Sequence, residues 1–216
     1  MSVEPIKVAD LRRNYARGGL IEADLAPDPF EMFDRWLAES VAAELYEPNA
    51  MVVSSVSADG RPSSRMVLLK GIDERGFVFY TNLGSRKGTE LQANDSCSLL
   101  FPWHPLERQV RVEGTASLVS PDEVAAYFGT RPRASMLGAW ASRQSRRVSG
   151  REELAAAYAA AETAYPDDVP LPQEWGGFRV RPTSMEFWQG RPGRMHDRLV
   201  YDRLVDDRWQ VTRLAP

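Results

Sequence analysis

Apolar positions along the chain change period twice. Between residues 28 and 45, "DPFEMFDRWLAESVAAEL" sets Phe30, Phe33, Trp36, Leu37 and Val41 at the spacing of one helical face. Asp28 stands as a cap, Pro29 suits the first turn and Glu31 falls three after the cap, so a helix is predicted there. From residue 50 the runs "AMVVSSV", "SSRMVLLKGI", "GFVFYTN", "CSLLFPW" and "RQVRVEGTASLV" are β-branched or aromatic-rich and are separated by turn clusters "ADGRP" and "DERG". They predict an antiparallel meander, interrupted by one short helix at 85–94, "SRKGTELQAN". Helical spacing returns in "SPDEVAAYF", where Ser120, Pro121 and Glu123 repeat the cap, and continues through "ASMLGAWASRQS" and "GREELAAAYAAAETAY". Three closing strands are expected: "GGFRVRPT", "MEFWQG" with "RMHDRLVYDRL", and "RWQVTRL". Strands grouped early and late, without βαβ alternation, predict an α+β fold built round a small barrel. Residues 1–27 are polar and aperiodic and read as a flexible N-terminal arm or lid, which leaves 28–216 as a single domain.

Composition narrows the chemistry. With 216 residues, 43% hydrophobic, and a formal net charge of −3, the chain can bury a core but lacks the broad cationic excess that coats nucleic acid or acidic membrane. Any anion it binds is small and held locally. Cys97 is the single cysteine, so neither an intrachain disulfide nor a thiol zinc site is expected, and its setting in "SCSLLF" predicts a buried strand thiol. No metal site is expected. The N-terminus lacks the apolar core of a signal peptide and no apolar run approaches the length of a membrane span, so a cytoplasmic protein is expected. Of the 27 basic residues only Lys7, Lys70 and Lys87 are lysines, which draws attention to the last two as point charges among guanidinium groups.

Three clusters carry candidate chemistry. In "RMVLLKGIDERGFVFYTNLGSRKG" Arg65, Lys70, Tyr80 and Thr81 precede a helix that opens on Ser85, Arg86 and Lys87. Unpaired N–H groups, two cations and hydroxyls make either a phosphate cradle or a solvated helix end; the glycine spacing of a P-loop or dinucleotide fold is missing. "YFGTRPRAS" spaces Tyr127, Arg131 and Ser135 by four, with Pro132 breaking the helix, which suits a second phosphate or plain surface decoration. "RQSRR" adds Gln144 and Ser145 as neutral donors. Finally "GRPGRMHDR" gathers arginines beside His196; an extended 194–198 would project Arg194, His196 and Arg198 to one side, with Trp188 supplying an aromatic surface. The alternative is pairing of those arginines with Asp197, Asp202 or Glu186 at the surface. His104 is expected in a loop facing solvent.

Together "RMVLLK", "FYTNLGSRK", "FPWHPLERQVRVEG", "RPRASMLGAWASRQS", "WGGFRV", "EFWQGR", "RMHDR" and "RLAP", in this order over nearly the whole chain, resemble the pyridoxine/pyridoxamine 5'-phosphate oxidase family. The resemblance implies an α+β split β-barrel, mostly antiparallel with flanking helices, forming a homodimer with FMN at the subunit interface. By position it implies FMN contacts from Arg65, Met66, Val67, Leu68, Leu69, Lys70, Tyr80, Thr81, Arg86 and Lys87, completed by Gln109, Gln144, Ser145, Trp188 and Arg198, largely from the other subunit. It implies that Lys70, Tyr127, Arg131 and Ser135 grip a substrate phosphate, that Arg194 and His196 lie over the reacting pyridine, and that Arg12 and Tyr15 of "RRNY" cover the substrate. Asn14 stands where an acidic residue is familiar, and Gly88 and Gly193 are smaller departures. The implied reaction oxidises pyridoxine or pyridoxamine 5'-phosphate to pyridoxal 5'-phosphate with O2, releasing hydrogen peroxide. A barrel that only holds flavin or haem, and a reductase fed by NADPH, are the rival readings; the second cation cluster speaks against the former, and the lack of room for a dinucleotide against the latter.

Overall fold

The computed structural model describes residues 14–16 and 18–216. In chain order these form α1 (Pro29–Ala42), β1 (Ala50–Val56), β2 (Pro62–Leu68), β3 (Gly71–Asp73), β4 (Gly76–Asn82), α2 (Arg86–Ala93), β5 (Ser96–Trp103), β6 (Arg108–Leu118), α3 (Pro121–Gly129), α4 (Arg133–Ala141), α5 (Arg151–Ala164), β7 (Trp175–Gln189), β8 (Asp197–Arg203) and β9 (Trp209–Leu214). The order is α+β, as the pattern predicts. Among the described residues no helix is long and apolar enough to cross a membrane.

The chain divides into two compact units. One comprises Asn49–Phe101 and Arg111–Ser184 and carries β1 to β4 whole and most of β5, β6 and β7, in the strand order β2-β1-β5-β6-β7-β4-β3. Its two end strands, β2 and β3, are neighbours in sequence. The predicted continuous strand over 63–72 is therefore broken: the Leu69 N–H donates to the Asn49 carbonyl (2.9 Å), whereas the Lys70 N–H donates to the Val78 carbonyl (2.8 Å). Two residues carry the chain from a ladder on β1 to a ladder on β4, and a sheet whose ends are joined so closely must curl. Phe77 with Phe101 (5.9 Å) and Phe79 with Phe178 (5.8 Å) fill its interior. Cys97 lies half-buried on β5; burial and then the charge of Asp95 push its thiol up to about 12.

The other unit holds α1, Pro102–Val110 and Met185–Pro216. Asp28 caps α1 as expected, accepting from the Phe30 N–H (2.7 Å). The buried face is corrected: Met32, Phe33, Trp36 and Ser40 point inward, while Val41 is exposed. Ser40 can be buried because its hydroxyl donates to the Trp36 carbonyl (2.8 Å). Trp36 packs on Phe187 (5.3 Å), and the Arg108 guanidinium lies 4.3 Å from its ring centre. The closing strands also divide differently from expectation. "GGFRVRPT" and "MEFWQ" are one 15-residue strand, β7, which runs through Pro182, and β8 and β9 pair antiparallel after it.

Candidate functional site

A cavity of about 430 Å³ lies in the unit formed by Asn49–Phe101 and Arg111–Ser184. Met66, Val67 and Leu68 line it from β2, Lys70 from the crossover, Tyr80 and Thr81 from β4, and Lys87 from α2. Tyr127, Arg131, Ser135, Gln144 and Trp175 close the rest. Three of the lining side chains are cationic and none is a carboxylate. A concavity with that charge is built for anions.

Lys87 is its deepest cation. Ser85 caps α2 by accepting from the Gly88 N–H (3.2 Å). Gly88 itself has no room for a Cβ, which would overlap the Leu83 carbonyl. Gly88→Ala is accordingly expected to cost about 1–3 kcal/mol of stability, read as a lower Tm. Gly138→Ala, in open space on α4, is the control and should not lower it. The Lys87 residue is only 8% exposed, and its ammonium donates to Thr81 Oγ1 (3.0 Å) and Gln144 Oε1 (2.9 Å), both neutral. Burial, reinforced by the nearby Arg65 charge, lowers it to about 8.

Arg65 and Arg86 turn to Glu90 instead. Arg65 Nη2 lies 3.2 Å from it and Arg86 Nε 2.7 Å. Burial opposes ionisation of Glu90, but hydrogen bonds from Ser55, Ser63, Arg86 and Arg65 outweigh it and hold the carboxyl at about 2. Arg65 is thus already answered by a carboxylate, whereas Lys87 is not.

Tyr127, Arg131 and Ser135 converge although α3 ends at Gly129 and α4 begins after Pro132. Tyr80 stacks on Tyr127 (4.1 Å, 7°) and on Trp175 (5.4 Å, 2°). The Arg131 guanidinium lies 4.8 Å from the Trp175 ring centre. Its Nη1 is buried with no hydrogen-bond partner among the described residues, and burial lowers its pKa. Periodicity and spacing alone give Trp175 no role in a site. An aromatic at the head of a strand signals core, and only the stack reveals the platform under Arg131.

The remaining expected residues fall elsewhere. Leu69 is buried behind the crossover. Ser145 adopts φ +70° and lines a separate cavity of about 870 Å³ together with Gln144. Gln109 is half-buried on β6. In the unit with Met185–Pro216, Trp188 packs against His196 (4.5 Å), and Tyr15 stands edge-on to both (5.9 and 5.5 Å). The Arg191 N–H donates to His196 Nδ1 (3.1 Å), so a neutral ring carries its proton on Nε2. The expected extended run 194–198 is corrected. Pro192–Arg194 is a 3-10 turn with φ +65° at Gly193 and +63° at Arg194, and β8 starts only at Asp197. Arg194, exposed on that turn, does not alternate with His196 and Arg198 along one strand. Arg198 pairs with Glu186 (2.6 Å). Arg12 lies outside the described residues.

Residues 37–165 match the family described as pyridoxamine 5'-phosphate oxidase, and residues 175–216 match a pyridoxine 5'-phosphate oxidase C-terminal dimerisation region. The chain is 63% identical to a pyridoxine/pyridoxamine 5'-phosphate oxidase of Nocardioides sp., covering 98% of this chain and 99% of that one. It is 54% identical to the Cupriavidus taiwanensis protein of that name, over 97% and 99%. Among solved structures, PhzG from Burkholderia lata 383, in complex with tetrahydrophenazine-1-carboxylic acid, superposes with a TM-score of 0.86 at 34% identity over 91% of this chain and 98% of that one. An FMN-binding protein of Nostoc punctiforme related to pyridoxamine 5'-phosphate oxidase gives 0.71 at 17% identity, over 89% and 100%, and shows the same split-barrel fold.

Proposed function

The chain belongs to the pyridoxine/pyridoxamine 5'-phosphate oxidase family, and from that premise we propose that it oxidises pyridoxine 5'-phosphate and pyridoxamine 5'-phosphate to pyridoxal 5'-phosphate, with FMN as cofactor and O2 as acceptor. The observation that carries the reading is the cavity free of carboxylates, with a buried ammonium at Lys87 and an orphaned guanidinium nitrogen at Arg131. Two phosphates, one on the cofactor and one on the vitamin, fit those two cations. Held there, FMN would supply two-electron redox chemistry: a hydride from the substrate carbon and a proton from its hydroxyl or amine would leave with O2 as hydrogen peroxide, and the imine formed from the amine would take up water and release ammonia.

The residues around the cavity bind and orient. Lys87, with the open N-terminus of α2 and Arg86, holds the cofactor phosphate, and Arg65 fixes Glu90 beneath it. Met66 to Leu68, Lys70, Tyr80, Thr81 and Gln144 border the rest of the cofactor; Gln109, Ser145, Trp188 and Arg198 complete the set, largely from a second copy of the chain. The match of 175–216 to a dimerisation region supports that homodimer, and light scattering at twice the mass of one chain would test it. Lys70, Tyr127, Arg131 and Ser135 grip the substrate phosphate. Arg12, Tyr15, Arg194 and His196 face the pyridine. With Nδ1 occupied by the Arg191 N–H, His196 presents Nε2–H and orients the substrate as a donor.

The deciding experiment is oxygen uptake by the yellow purified protein. Uptake is expected with either 5'-phosphate and none with NADPH, unphosphorylated pyridoxine or tetrahydrophenazine-1-carboxylic acid. Uptake on NADPH alone would select a reductase instead. Substituting Arg194 or His196 is expected to slow flavin reduction in a single turnover at saturating substrate; a wild-type rate would remove that residue from the reacting end.

A further inference from the structure

The last strand carries an arginine that no contact with cofactor or substrate requires. Arg213, on β9, divides its fork between one short segment of chain and Asp197 of β8. Its Nε donates to Glu22 Oε1 (2.8 Å) and its Nη2 to Glu22 Oε2 (3.1 Å) and to the Leu20 carbonyl (3.0 Å). Its Nη1 donates to Asp197 Oδ1 (2.7 Å), and the other oxygen of Asp197 accepts the Leu20 N–H (3.0 Å). One planar guanidinium thus clamps both sides of Leu20, which is 4% exposed. A lysine could not make that fork. The hydrogen bond from Arg213 holds Glu22 at about 2, so the clamp stays ionised across the neutral range.

The clamped segment continues to Tyr15. The Ala16 N–H donates to both carboxylate oxygens of Glu107 (3.3 and 3.1 Å). The Tyr15 ring lies over Gly190, where a Cβ would stand 2.9 Å from the ring's Cγ. Gly19 has a similar constraint, with Asp197 Oδ2 3.0 Å from the position its Cβ would take. Missing side chains at two glycines and a carboxylate at each end fit this segment to its seat.

We infer that Arg213 is a positioning residue, which sets substrate affinity by clamping Leu20 and Glu22 and so holding Tyr15 against Trp188 and His196. The inference rests on the functional reading above, since it takes Tyr15 to face the substrate. Arg213→Ala is expected to raise KM for both vitamin esters about three- to tenfold, with kcat at saturation within about twofold of wild type. A general loss of structure would multiply with any other defect. The specific role predicts instead that Arg213→Ala adds nothing to the KM of a Tyr15→Ala variant. An unchanged KM in the single variant, or multiplied effects in the double, overturns the inference. Should Arg213→Ala fail to fold, Glu22→Ala removes the exposed half of the clamp and is judged by the same cycle. Amide hydrogen exchange at Leu20 and Ala16 gives a readout independent of turnover. Faster exchange at both in the variant supports the clamp, and wild-type exchange overturns it, even if the wild-type protein oxidises neither ester and the functional reading fails.

Discussion

Arg131→Ala is expected to raise KM for pyridoxine 5'-phosphate and pyridoxamine 5'-phosphate about 10- to 150-fold while leaving FMN retention intact, the cost of about 1.5–3 kcal/mol for losing a charge-assisted hydrogen bond to a phosphate. The geometry favours the upper part of that range. The guanidinium is already fixed over Trp175 and Phe128, so little ordering entropy is spent when the anion arrives. Its Nη1 is buried without a partner among the described residues, and a phosphate oxygen would relieve that desolvation. Arg131→Lys keeps the charge but loses the planar stack and the fork, and should recover only part of the affinity. Steady-state kinetics with both esters make the check. A KM within twofold of wild type would detach Arg131 from the substrate.

The second large effect concerns Lys87 and pH. Its ammonium is disfavoured in the folded protein, with a value of about 8 against 10.5 for an ordinary lysine. Below about pH 8 the group is charged and costs stability; the cost fades as pH rises through 8 toward 10.5. A bound phosphate reverses the penalty by favouring the charged form. FMN should therefore bind without proton exchange at this group below pH 8 and with proton uptake above it, weakening by up to about tenfold per pH unit between 8 and 10. Lys87→Met should weaken FMN about 10- to 150-fold at pH 7 and flatten the profile above pH 8. Calorimetric titration of FMN into the flavin-free protein at pH 7 and pH 9 reads both. An undiminished pH dependence in the variant would place the titrating group elsewhere.

What the sequence made legible was local. The caps at Asp28 and Ser120 each act within four residues, and both accept the backbone hydrogen bonds their type predicts. The convergence of Tyr127, Arg131 and Ser135 was visible as spacing, even though Pro132 splits the helix that suggested it. Features set by distant partners were not legible. Only Gly71, the first residue of β3, hints at the change of ladder at Leu69 and Lys70, which is imposed by Asn49 and Val78. Pro182 reads as a strand end, yet β7 runs past it. The turn at Gly193 and Arg194 depends on left-handed backbone at two successive residues, one of them not glycine. Val41 matches the apolar period as well as Phe33 does, but Met32 and Ser40 take the inward positions. Whether Arg65 or Lys87 would be left without a counter-charge turned on Glu90, whose hydrogen bonds reach across β1, β2 and α2.

The state of Cys97 bears on how long such a catalyst would last. Each turnover would release a molecule that attacks sulfur, and thiols are attacked as their anions. With its thiol near 12, Cys97 holds a vanishing anionic fraction at neutral pH and should survive many cycles of self-generated oxidant. Among the described residues the vulnerable sulfur is then the thioether of Met195, 68% exposed and outside the proposed cofactor contacts. Mass spectrometry of protein worked to exhaustion should find oxygen added there before any appears on the cysteine.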